Sequence, residues 1–89
     1  MIFKMEGLVL PLFTSSQIGL TIRKARKKKS AEIGFGFTRK MLADAIEEPV
    51  QIVTLLEAGR YYPDFEHIQK ISKACGVTIE SLVGAHFDS

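Results

Sequence analysis

Between positions 23 and 40 stand eight basic residues, Arg23, Lys24, Arg26, Lys27, Lys28, Lys29, Arg39 and Lys40, against the single acid Glu32. Cations at that density attract a polyanion. From Asp44 onward three basic residues (Arg60, Lys70, Lys73) face eight acids, so the net charge of +2 conceals a chain that is basic early and acidic late. Other chemistries find little support. His67, His86 and Cys75 are too scattered for a structural zinc site; both histidines lack a carboxylate or cysteine partner at useful spacing and read as surface residues. Cys75 has no second cysteine to pair with and reads as a small buried hydrophobe in a reducing compartment. No nucleophile with its base, no paired carboxylates and no glycine-rich phosphate loop occurs at usable spacing, which argues against an enzyme and gives no reason for a cofactor or metal.

The elements that position the charges follow from caps and periodicity. Thr14 and Gln17 have capping-box spacing, and Ile18, Ile22 and Ala25 recur at helical intervals, so a first helix starts near Thr14 or Ser15 and runs to about Lys28. Arg23 to Lys29 cannot share one face of it, so part of the run is ordinary solvated surface. Residues 30–36, SAEIGFG, hold two glycines and no usable period and read as a loop. Thr38 then caps a second helix with Met41, Leu42, Ala45 and Ile46 inward. Pro49 ends it and starts a third, Val50 to Ala58, stopped by Gly59. After the turn Arg60-Tyr61-Tyr62-Pro63, Asp64 caps a fourth helix with inner stripe Phe65, Ile68, Ile71, Ser72 and Cys75, closed by Gly76. Thr78 caps a short fifth helix with Ile79, Leu82 and Val83, and Gly84 opens a tail expected to fray.

The 89 residues, 46% of them hydrophobic and 25% charged, suit one hydrophobic core. The expected organisation is an extended arm over residues 1–14, a helical domain over 15–84 and a tail over 85–89. The apolar run Leu8 to Phe13, interrupted by Pro11, is too short to span a bilayer and weak as a secretory core, so a cytoplasmic protein is expected. Leu8-Val9-Leu10 is a short strand or an extended arm, covered either by its own domain or by a second subunit.

Only three or four residues separate helices two and three, the connection length of a helix-turn-helix, with Ala43 small where the two would meet and Val53 and Leu56 facing the same core as Leu42 and Ile46. Further matches follow in order. They are Ile18-Gly19, Ile22-Arg23 and Arg26; Gly36-Phe37-Thr38; Leu42-Ala43; Val53, Leu56-Glu57 and Gly59; Pro63; Ile68, Lys70-Ile71 and Ala74; Gly76-Val77-Thr78-Ile79; and Leu82-Val83. With these residues the chain from Ile18 to Gly84 resembles the helix-turn-helix family of phage repressors, Cro proteins and xenobiotic-response-element (XRE)-type transcriptional regulators. The resemblance implies an all-α, compact five-helix repressor-like domain with its helix-turn-helix in helices two and three.

It also implies that helix three lies in the major groove of double-stranded DNA, with Val50, Gln51, Thr54 and Leu55 toward base edges. Gln51 has an amide able to bond adenine N6 and N7 together, and Val50 and Leu55 offer apolar contact to a thymine methyl. Arg39, where the family usually has glutamine, would hold a phosphate at the start of helix two; Arg60 and Tyr61 would do so after helix three. Against that stands the ordinary reading of exposed arginines as solvated charges and of Tyr61 and Tyr62 as cover for the core. A bacterial or phage-encoded repressor acting as a homodimer, joined through helix five and the arm, is expected. The competing reading is a protein-interaction module on the same scaffold, such as the antitoxin of a toxin–antitoxin pair, whose partner is a toxin or another regulator.

The departures from the family concentrate in the turn. Glu47 replaces the turn glycine and would be strained by on the order of 1 kcal/mol in a left-handed conformation. Glu48 stands where the next residue is usually apolar and buried, and Pro49 replaces a serine or threonine cap. Two carboxylates there suit the dipole of helix three, weaken nonspecific DNA affinity, and offer an acceptor to cytosine N4. A turn of altered shape is one consequence to expect. The loop at residues 30–35 is also longer than the family's.

Overall fold

The helices begin where side-chain oxygens are available to close their first turns. In the computed structural model, which describes residues 8–9, 13–84 and 86–87, Thr14, Thr38, Asp64 and Thr78 each accept a hydrogen bond from the backbone N–H three residues on. Thr14 is half of a complete capping box, because its N–H donates to the Gln17 amide oxygen at 2.8 Å. These caps open α1 (Ser15–Ile33), α2 (Arg39–Ile46), α4 (Phe65–Cys75) and α5 (Ile79–Val83), while α3 (Val50–Glu57) begins at Pro49 without a side-chain cap.

The expected inner faces form one core. Ile18, Ile22 and Ala25 of α1 meet Leu42, Ala43 and Ile46 of α2, Val53 and Leu56 of α3, Ile68, Ile71 and Cys75 of α4, and Leu82 and Val83 of α5. Each fully buried leucine or isoleucine contributes about 1.5–3 kcal/mol relative to an exposed one. Gly19 lets α1 and α3 touch backbone to backbone: a Cβ there would lie 2.5 Å from the Leu56 carbonyl oxygen and 2.8 Å from that of Glu57. Cys75 is fully buried, as expected, and burial pushes its thiol up to about 11. Ala45 is exposed instead of inward, and Met41, Phe65 and Ser72 are half-buried at the margin.

One element differs from expectation in length. α1 does not stop near Lys28 but continues to Ile33, so most of the expected loop is helix. Ala31, Glu32 and Ile33 can extend the ladder; Lys28 pairs with Glu32 one turn on at 2.6 Å, holding that carboxyl below its usual range, and Ile33 packs against the core. The break comes at Gly34, in the left-handed conformation with φ 79°. Ser30 then ties the helix to the next element, its Oγ accepting from the Phe37 N–H at 2.6 Å.

Before and after the helices, β1 (Leu8–Val9) pairs antiparallel with β2 (His86–Phe87) of the same chain, Leu8 opposite Phe87 and Val9 opposite His86. The segment expected to fray after Gly84 therefore includes a strand. Phe13 donates its N–H to the Val83 carbonyl at 2.7 Å, and its ring lies where a Cβ on Gly84 would stand, so the two ends meet beside α5. Residues 1–7, 10–12, 85, 88 and 89, with the rest of the expected arm and tail, lie outside the described residues, as does the side chain of His86. Among the described residues no helix is long and apolar enough to cross a membrane.

Candidate nucleic-acid interface

α2 and α3 meet through Glu47-Glu48-Pro49. Glu47 adopts φ 62° and ψ 43°, the left-handed conformation, and is the sole non-glycine residue with positive φ among the described residues. Its N–H bonds the Asp44 carbonyl at 3.2 Å and that of Glu48 bonds Ala43 at 2.9 Å, which closes α2. The turn thus accepts strain of about 1–2 kcal/mol instead of changing its conformation. Pro49, with φ −63° and ψ 150°, leads into α3 by accepting the Ile52 N–H on its carbonyl at 3.0 Å.

The carboxylates of this turn are directed at α4. Glu48 Oε2 lies 2.9 Å from His67 Nε2, and because a carboxylate only accepts, the imidazole donates from that nitrogen. His67 Nδ1 lies 3.2 Å from Asp64 Oδ1 but makes no hydrogen bond. The expectation that His67 is an unpartnered surface residue is therefore corrected: it is buried, with Glu48 from the turn and Asp64, the cap of its own helix, beside it and the Tyr61 ring edge-on at a centroid distance of 5.9 Å. Tertiary packing brings Glu48 to it across 19 positions of sequence. Glu47 reaches Lys70 at 3.4 Å.

At its other end α3 is held by a buried carboxylate. Glu57, 2% exposed in its side chain, accepts two bonds from Arg26, Nε at 2.7 Å and Nη2 at 3.1 Å, and one from Arg39 Nε at 3.0 Å. Arg26 Nη1 also reaches the Phe37 carbonyl at 3.1 Å, so one guanidinium joins α1, the start of α2 and the end of α3. No role for Arg26 or Glu57 follows from local sequence, since 31 residues separate them. Both stand among the residues that carry the family resemblance, the one sequence signal that could have found them.

With one face against the core and both ends tied down, α3 presents its remaining face outward. Gln51, Thr54 and Leu55 are exposed and their spacing places them away from Val53 and Leu56, whereas Val50 is half-buried and packs against the core at the edge of that face. Arg39 flanks this face at the first residue of α2, bonded to Glu57 through Nε with 44% of its side chain still exposed. Arg60 stands just past the same, C-terminal end of α3, its N–H on the Leu55 carbonyl at 2.9 Å, and both Arg60 and Tyr61 are exposed. Tyr62 is exposed too and does not cover the core. Of the seven residues expected to meet DNA, Val50, Gln51, Thr54 and Leu55 thus lie along α3, and Arg39, Arg60 and Tyr61 stand about its C-terminal end.

The model of a helix-turn-helix family matches residues 22–82. Among solved structures, the chain superposes on the crystal structure of the clp gene regulator ClgR from C. glutamicum with a TM-score of 0.63 at 22% identity, over 82% of this chain and 86% of that one. At that identity the likeness carries the fold. No curated protein matches the chain.

Proposed function

The chain belongs to the XRE-type helix-turn-helix family of DNA-binding transcriptional regulators, and on that premise we propose that it is a sequence-specific repressor that reads the major groove with α3 and works as a homodimer in the cytoplasm. The observation that carries this reading is the division of α3 into a face locked in the core and an outward face bearing Gln51, Thr54 and Leu55. A recognition helix needs that rigidity, because base readout depends on side chains held in register with the groove.

In this reading Gln51 reads adenine through its amide, while Val50, Thr54 and Leu55 fit the neighbouring base edges. Arg39, Arg60 and Tyr61 hold phosphates beside the C-terminal end of α3 and so fix the register without reading sequence. Repression follows from occupying an operator. A domain with one short recognition helix gains its selectivity by pairing, with two α3 helices entering successive major grooves about 34 Å apart.

Anisotropy titration of the chain with mixed-sequence duplexes at two salt concentrations tests the reading. With about five phosphates neutralised, log affinity falls with log salt at a slope of roughly four to five. Absence of binding at low salt would refute it. Once an operator is selected from random sequence, Gln51→Ala reduces discrimination at one base pair by about 1–3 kcal/mol and leaves the salt slope unchanged.

A further inference from the structure

We propose that the flank of α1 bearing Arg23 and Lys27 is a further phosphate-binding surface, continuous with Arg39 and Arg60, that grips duplex DNA beside the stretch read by α3. The proposal rests on the DNA-binding reading above and assigns the basic run of α1 a divided role within it.

Contacts fix the roll of α1. Gly19 abuts the carbonyls that end α3, Arg26 bonds Glu57 and the Phe37 carbonyl, and Ser30 bonds the Phe37 N–H. These positions lie along one side of a helix, facing the corner where α3 ends and α2 begins. Arg23, four residues after Gly19 and three before Arg26, borders the same line; Lys27, four after Arg23, stands next to Arg23 on the solvent side, opposite Ile18. Both are exposed. Earlier on this flank, a Cβ on Gly59 would stand 2.8 Å from the Ser16 Cα, so the line starts beside the turn that carries Arg60.

The other cations of the run point elsewhere or are committed. Thr21 donates to the Leu82 carbonyl at 2.6 Å, which assigns the opposite flank to α5; Lys24 and Lys28, three and seven residues after Thr21, follow that flank. Lys28 is paired with Glu32, Arg26 is committed to Glu57, and Lys29 is half-buried. Arg23 and Lys27 therefore join Arg39 and Arg60 around one corner, where Glu57 is covered by Arg26 and Arg39. Extension of α1 to Ile33 places Lys27 inside the helix, well before its end, so its backbone is held in place.

Two double variants of equal charge change separate the flanks: Arg23→Gln with Lys27→Gln, and Lys24→Gln with Lys28→Gln. Each is titrated against one mixed-sequence duplex across a salt series, with thermal melts to show that both remain folded. Loss of two phosphate contacts lowers the salt slope by about 1.8 for the first pair, while the second stays near the wild-type slope. Base preference among selected duplexes is unchanged in both. Equal slopes for the two variants, or a first variant with the wild-type slope, overturn this assignment while leaving the DNA reading intact. A wild-type chain that binds no duplex overturns the DNA reading, and this proposal with it.

Discussion

The two ends of α3 are both anchored by carboxylates, but in different surroundings. At the C-terminal end Glu57 is 2% exposed and held by two guanidinium groups, one of them bidentate. At the N-terminal end Glu48 keeps 33% of its side chain exposed and pairs with an imidazole, while Glu47 makes a longer contact to Lys70 near the surface. A buried charge that loses its partner has no water to turn to, whereas a surface carboxylate does. The C-terminal anchor is thus the rigid one, and the turn is the end of α3 that can be altered at small cost.

The largest break in this contrast is Glu57→Gln. It leaves Arg26, whose side chain is 12% exposed, without its counter-charge and costs about 3–5 kcal/mol in urea unfolding. Arg39→Ala, removing the more exposed partner, costs roughly 1 kcal/mol or less. At the other end His67→Ala removes a buried ring but leaves Glu48 able to turn to water, so a loss of about 1–3 kcal/mol is expected. A loss at His67 matching that at Glu57 would erase the distinction between the two ends. Smaller and opposite in sign, Glu47→Gly relieves the left-handed strain and raises stability by up to about 1 kcal/mol, read as a higher melting temperature. No gain would mean that the contact to Lys70 offsets the strain.

A pH dependence confined to alkaline solution marks the core side of the rigid end. Cys75 lies close enough to Arg26, Lys29 and Glu57 to feel their charges, but burial dominates and raises its thiol from 9.0 to about 11. The unfolded chain then releases this proton at a lower pH than the folded one. The contribution of the neutral thiol is fully present below pH 9 and is lost as pH rises from about 9 to about 11. Unfolding of the wild type and of Cys75→Val compared over that interval isolates it, since other groups titrate in both. The variant should show the shallower fall, and parallel curves would assign the dependence to other groups.

Much of the fold was legible because its determinants are local. Thr14 with Gln17, Thr38, Asp64 and Thr78 act on backbone groups three residues away, and the apolar spacings around Leu42, Val53 and Ile68 concern one helix face at a time. The outward face of α3 followed from the same arithmetic, with Gln51, Thr54 and Leu55 falling opposite Val53 and Leu56. Even the strain at Glu47 could be anticipated once a turn was placed there. The end of α1 lies beyond such local signals: two glycines in residues 30–36 suggest a loop, whereas Ile33 and Ser30 find partners in the core and at Phe37.

The cations of α1 differ in direction, which their number does not show. By itself the sequence determined that α1 carries more positive charge than one helix face can hold and that a helix-turn-helix follows it. Which cations are committed and which are exposed was decided by tertiary structure alone. Arg26 is taken by Glu57 from 31 positions away, His67 by Glu48 from 19, and the roll of α1 by Gly19 against the end of α3. The physical reason is that caps and periodicity act within a turn or two of helix, while an ion pair or a close backbone approach exists only after distant segments have packed.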